Sequence, residues 1–113
     1  MPIFVAQDPP VLAFSPKRIA EKLNYAFDFV NLLVSGESIV SSMWYIAPVR
    51  PTTAPLPTNM IVGSVSISGT QVFQQIQSGT EGVLYNVVAQ ITTSLGNIIE
   101  QDALLLTSNM WDD

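Results

Sequence analysis

Apolar and polar side chains alternate along most of this chain beyond residue 22. Leu23, Tyr25, Phe27 and Phe29 are separated by Asn24, Ala26 and Asp28. A repeat of two rich in aromatics predicts a strand with one buried face. Ser35-Gly36-Glu37-Ser38 reads as a turn, and Ile39 to Ile46, with Trp44 and Tyr45, as the next strand. Ile61 to Ser68 alternates again, Ser68-Gly69-Thr70 turns the chain, and Gln71 to Ile76 is a further short strand. After the glycine loop Ser78–Gly82, Tyr85 to Thr93 and Ile98 to Leu106 flank Ser94-Leu95-Gly96-Asn97 and predict a β-hairpin, with Gly96 supplying the positive φ. Six or seven short strands with a turn signal between each pair predict a β-sandwich or small barrel.

Two stretches break the period. Residues 1–21 carry Pro2, Pro9, Pro10 and Pro16 and predict an extended N-terminal arm, with one helical turn over Ser15–Lys22 that uses Ser15 as N-cap and Pro16 at the first position. Residues 48–57 hold Pro48, Pro51, Pro55 and Pro57 and predict a loop or polyproline segment. The organisation is then an arm at 1–21, a sandwich at 22–107 and a polar tail at 108–113.

One constellation narrows the fold. Trp44 lies in an early strand, and Tyr85 opens a late one just after a glycine loop, with Val87 two positions on. That order is typical of immunoglobulin-like sandwiches, in which the corner tyrosine bonds back to the preceding loop and the residue two on enters the core. The alternative is that Tyr85 simply starts a strand. The expected fold is all-β, an immunoglobulin-like β-sandwich of about seven antiparallel strands with an extended N-terminal arm. Its expected core includes Phe27, Phe29, Trp44, Tyr85, Val87 and Ile91.

Composition removes most chemistry. With no His and no Cys among 113 residues, Ser–His and Cys–His nucleophiles and the usual zinc, haem and iron–sulfur sites are excluded. Glu100 and Asp102 share a strand face, but no third ligand accompanies them; no metal, cofactor or catalytic residue is expected. Only Lys17, Arg18, Lys22 and Arg50 are basic and the net charge is −5, which argues against nucleic acid. Lys17, Arg18 and Lys22 read as a solvated patch. Neither a membrane-length apolar run nor a secretory signal is present, so assembly in a cytoplasm is expected. Charged residues make up 12% of the chain, against about 25% in average domains. A surface so poor in Lys and Glu suits burial against neighbours, and a homo-oligomer or ring is expected.

The stretch Leu23–Leu106 resembles small tail-associated proteins of tailed bacteriophages, of the fiber–tail adaptor type. The resemblance is carried by Leu23–Phe29, by Gly36–Trp44, by Ser78–Val87 with its glycine turn and Tyr-x-Val strand, and by Ile91–Glu100 with its Thr-Thr-Ser-x-Gly hairpin. The chain departs from that pattern in the Pro-rich 48–57 insertion and in the glutamine-rich strand Gln71–Ile76. The resemblance implies a non-enzymatic structural subunit of the virion that joins tail, neck or fiber components. Contacts with those partners are expected from the arm and loop residues Ile3, Phe4, Val5, Val11, Leu12, Phe14, Pro51 and Pro55, and from Trp111. Apolar residues in an arm are a liability in water and usually mark a contact; folding back over the arm's own sandwich edge is the alternative. Two other readings stay open: a receptor- or carbohydrate-binding β-module, which needs Trp44 and Tyr45 on the surface, and a capsid decoration protein.

Overall fold

Alternation buries one face of each strand, and two such faces closed against each other make the molecule. The computed structural model describes residues 3–4, 13–14, 16–51, 53–54, 57 and 59–109. Seven strands form in the order β1 (Ile3–Phe4), β2 (Leu23–Asp28), β3 (Ile39–Arg50), β4 (Ile61–Ser68), β5 (Gln71–Ile76), β6 (Val83–Thr93) and β7 (Ile98–Thr107), with a 3-10 turn at Val30–Leu32. One sheet has the order β1-β2-β5-β4 and the other β3-β6-β7. These are the two sheet orders of a constant-type immunoglobulin sandwich. All pairings are antiparallel except that of β1, which lies parallel to β2 with Ile3 opposite Tyr25 and Phe4 opposite Ala26.

The inward positions are large. Tyr25, Phe27 and Phe29 meet Trp44, Ile46, Val72, Ile76, Tyr85, Val87, Ile91 and Leu105, all buried. The Phe27 and Trp44 rings lie 5.2 Å apart. Ala26 is buried as well, although it points to the opposite face, because this small residue sits between β1 and Phe73 of β5. The Tyr85 hydroxyl accepts the Thr80 N–H at 3.0 Å, the back-bond of a tyrosine corner. Trp44 is therefore a core residue, which takes it away from any surface sugar platform.

The arm does not stand away from the sandwich. β1 lies on one sheet, whereas Ala13 bridges Leu104 and Lys17 bridges Thr107 of the edge strand β7 in the other. Phe14, expected as a contact for a neighbour, is only 5% exposed and packs edge-on against Tyr25 and Phe27 at 4.8 and 5.4 Å. It fills its own core, because the Phe14 N–H on Leu104 O holds it at the β7 edge, beside the aromatic side chains of β2. The helical turn expected at Ser15–Lys22 is not made. The Lys17 N–H donates to Leu106 O at 2.8 Å and the Lys17 carbonyl accepts the Ser108 N–H at 2.9 Å. Both groups are committed to β7, so the backbone there is extended; Ser15 lies outside the described residues. A tight turn follows instead, with the Glu21 N–H on Arg18 O and the Arg18 N–H on Glu21 Oε1. Lys17 is buried rather than part of a solvated patch.

The proline-rich loop also starts later than its composition suggests. β3 runs through Pro48 to Arg50, with Pro48 opposite Tyr85 and a register shift before Arg50. Proline is tolerated there because β3 is an edge strand and the ladder is already irregular.

Candidate partner-binding surfaces

The strand directions sort the loops to two ends. The β2–β3 connection, the β4–β5 turn and the β6–β7 hairpin lie at one end; the β3–β4 and β5–β6 loops, the turn after Lys17 and Asn109 lie at the other. The 12 residues of β3 alone span about 40 Å, and the molecule measures 45 × 28 × 28 Å.

Side chains fasten the first end tightly. Asp28 Oδ1 accepts the Val30 N–H at 2.9 Å and the Thr70 hydroxyl at 2.8 Å, and Phe29 N–H donates to Thr70 O at 2.8 Å. Gln71 Nε2 adds a bond to Asp28 Oδ2 at 3.3 Å. Partial burial pushes the Asp28 carboxyl up, but these hydrogen bonds outweigh it and hold it below its ordinary value. Glu37 clips the two neighbouring loops together. Its carboxylate accepts the Thr93 hydroxyl, the Val34 N–H at 3.0 Å and the Asn97 amide at 2.9 Å. Ser38 and Ser94 exchange two further bonds, at 2.8 and 3.0 Å.

On this fastened base the loops hold out aliphatic side chains. Val30, Leu32, Val34, Val40, Leu95 and Ile98 are between 47% and 66% exposed. The two carboxylates of this end, Asp28 and Glu37, are both engaged in the bonds above. The result is an aliphatic, rigidly held tip whose two carboxylates are turned to hydrogen bonds within it. Sequence patterning passes over it because an apolar residue is read as buried. The available signals were Leu95, aliphatic within a tight turn where polar residues are usual, and the run Val30-Asn31-Leu32-Leu33-Val34 just ahead of the Ser35–Ser38 turn.

The Glu37 clip gives a pH prediction. The hydrogen bonds from Thr93, Val34 and Asn97 hold its carboxyl below the ordinary 4.5. Its stabilising contribution is therefore complete above pH 4.5 and is lost as pH falls through the depressed folded value. Amide exchange at Leu95 and Asn97 is expected to accelerate in acid before the core strands open, and Glu37→Gln is expected to show the faster exchange already at neutral pH. Equal protection in the variant and the wild type would contradict the clip.

The opposite end carries all four basic residues, Lys17, Arg18, Lys22 and Arg50. Its hub is the Ser78–Thr80 corner. Lys17 Nζ donates to Ser78 O and Arg18 O at 2.7 Å and to Ile19 O at 3.3 Å. The Thr107 hydroxyl donates to Thr80 O and Val83 O. Glu81 secures the chain beyond β7, accepting the Ser108 hydroxyl at 2.9 Å and the Asn109 N–H at 2.7 Å. Nearby, Arg50, Pro51, Gly82, Leu84 and Leu106 line an apolar recess of about 400 Å³.

The contact residues expected from sequence are scattered by this arrangement. Pro51 lines the recess, Phe14 is in the core, and Ile3 and Phe4 form β1 along the β2 edge. Val5, Val11, Leu12, Pro55 and Trp111 lie outside the described residues. Tyr45 is on the surface, where its hydroxyl donates to Glu100 Oε2 at 2.8 Å. Asp102 accepts from Asn86 at 3.2 Å, and among the described residues no group of three His, Cys, Asp or Glu side chains is placed to hold a metal ion. No helix among the described residues is long and apolar enough to cross a membrane.

Comparison with known proteins agrees with the earlier resemblance. The family model for the podophage GP4 fiber-tail adaptor protein gp77 matches residues 17–106, from the arm's Lys17 bridge to the end of β7, and so spans both the Pro-rich stretch and the glutamine-rich strand. Searches of curated proteins and of solved structures found no match. With a match over most of its length, the chain belongs to the podophage GP4 fiber-tail adaptor protein gp77 family and is a structural adaptor of a phage tail.

Proposed function

We propose that this chain is a non-enzymatic coupler that joins tail, neck or fiber components by gripping different partners at opposite ends. The aliphatic tip seats against an apolar surface of one virion protein. The opposite end, with Arg50, Pro51 and the rest of the 48–57 stretch, meets a second. Arm residues Val5, Val11 and Leu12, together with Pro55 and Trp111, add contacts to neighbouring subunits. Several copies in a ring, assembled in the host cytoplasm, would present these ends in a symmetric array.

The observation that carries this reading is the tip itself. Six aliphatic side chains stand in water on the loops held by Asp28 and Glu37 and on the strand ends beside them. Each has roughly 1 kcal/mol to gain from full burial, and the loops have little freedom left to lose on docking. Leu95→Asp with Ile98→Asp tests it. Both positions are exposed, so the folded stability should change by less than about 1 kcal/mol. Particles assembled with the variant should lack attached fibers or lack the adaptor. Normal fiber and adaptor content would show that the tip is not a contact. The decoration-protein reading has no observation in its favour, and a sugar-stacking Trp44 is ruled out by its burial.

A further inference from the structure

The recess at the basic end lies on the outer face of the β3-β6-β7 sheet. Arg50, Leu84 and Leu106 stand opposite one another across the three strands, with Pro51 and Gly82 beside them. Alternation sends Val83, Tyr85, Leu105 and Thr107 inward and leaves Leu84 and Leu106 facing out, only partly buried. A space of about 400 Å³ is within the range of sites that hold a small ring system. Its lining has one polar side chain, the Arg50 guanidinium, which makes no hydrogen bond or ion pair with another described residue. A sugar, a phosphate or a metal ion would find too few polar partners here. An aromatic ring followed by a negative charge would find an apolar floor and a cation at its rim.

The chain carries such a segment just past β7. Asn109 is fastened there by three bonds. Its N–H donates to Glu81 Oε1 at 2.7 Å, its side-chain oxygen accepts the Ile19 N–H at 3.1 Å, and its carbonyl accepts from Arg18 Nη1 at 3.4 Å. Met110-Trp111-Asp112-Asp113 follow and lie outside the described residues. Trp111 comes two residues after Asn109, a reach of about 7 Å. The Arg50 side of the recess is three residues back along β7 and two strands across, about 14 Å away. To fill its own recess the chain would have to double back at once from the fastened Asn109. The Trp111 of a second copy is under no such constraint.

We infer that Trp111, Asp112 and Asp113 of one copy dock in the recess of the next, the indole against Leu84, Leu106 and Pro51 and the carboxylates on Arg50. The donor leaves past β7 and the acceptor reaches β3, the two opposite edges of the sheet. The contact is therefore heterologous, with the β7 side of each copy meeting the β3 side of its neighbour. Repeated about an axis that runs along the strands, it closes into a ring and keeps every tip on one face. This contact rests on the coupling role proposed above, in which ring copies present their ends in an array, and it is what aligns them.

Sedimentation velocity of the full chain between about 10 µM and about 1 mM should show self-association. Trp111→Ala and Arg50→Glu should each weaken it about tenfold. An equimolar mixture of the two should form dimers and nothing larger, because Trp111→Ala keeps a recess and Arg50→Glu keeps a tail, which together make one contact. Trp44 is buried, so the acrylamide-quenchable emission reports Trp111; it should be open to the quencher in the monomer and shielded in the oligomer. Leu95→Asp with Ile98→Asp should associate like the wild type, so a failure of the tip and a failure of this contact are read separately. The proposal is overturned if the wild type stays monomeric throughout, if Trp111→Ala associates unchanged, if the mixture grows beyond dimers, or if Trp111 is already shielded in the monomer.

Discussion

Gly79→Ala is expected to destabilise the fold by roughly 3 kcal/mol, the sum of two separate penalties. Gly79 has φ +105°, a conformation that side chains rarely adopt. A Cβ there would also lie 2.7 Å from Thr107 Cγ2 and 3.3 Å from Met60 Cε. The methionine end can move, but Thr107 cannot. It is fully buried, and its hydroxyl is committed to Thr80 O and Val83 O. Gly96 is the natural control, with φ +84° but nothing within 4 Å of its would-be Cβ. Gly96→Ala should therefore cost only the backbone strain, about 1 kcal/mol. Urea unfolding of the two variants separates the penalties. If Gly79→Ala costs no more than Gly96→Ala, the Ser78–Thr80 corner is not packed against β7 as described.

Lys17→Met is expected to cost about 2–3 kcal/mol and to loosen the arm. Methionine keeps much of the buried stem but leaves the carbonyls of Arg18, Ile19 and Ser78 without the ammonium that joins them. That group ties the arm to the β5–β6 loop through Ser78 O. The arm would still be held by its backbone bridging to β7, by Phe14 in the core and by the bonds of Arg18 and Ile19 to Asn109. Limited proteolysis should cleave ahead of residue 17 faster in the variant than in the wild type. A pH signature distinguishes this from simple loss of packing. Burial pushes the Lys17 ammonium below its ordinary 10.5, while the charge of Glu21 pulls it partly back. Between the depressed value and 10.5 the folded state binds fewer protons than the unfolded chain, so wild-type stability should rise with pH in that window. The comparison belongs below pH 10, since buried Tyr25 is held protonated above its ordinary 10.0 and lowers stability beyond that point. The methionine variant should lack the rise. Wild-type stability and an equally protected arm in Lys17→Met would contradict the role of Lys17.

The features legible in the sequence were those with a local period. Tyr85–Thr93 and Ile98–Leu106 alternate on both sides of a glycine turn, and they pair in continuous register from Val83 opposite Thr107 to Thr92 opposite Ile98. Trp44, Tyr85 and Val87 carry positional meaning in a sandwich, and all three are buried. What was not legible depends on residues distant in the chain. Phe14 sits among prolines with no period around it, and its bridging to the distant strand β7 brings it to Tyr25 and Phe27. Lys17 reads as a surface cation because one of its acceptors, Ser78 O, is 61 residues away. Gln74 looks like its polar neighbours, and its inward place follows from a β4 bulge that alternation does not reveal. The tip was hidden for the opposite reason, since Val30, Leu32 and Leu95 break the rule that aliphatic side chains are buried.

Hydrogen–deuterium exchange of the chain, free and within intact phage particles, tests the coupling role most directly. Segments 30–40 and 94–98 should be slowed strongly in the particle relative to the free chain, together with the region around Arg50 at the opposite end. The core strands β5 and β6 should change little, being already protected. Exchange at both ends that is identical in the free chain and in the particle would contradict a two-ended coupler.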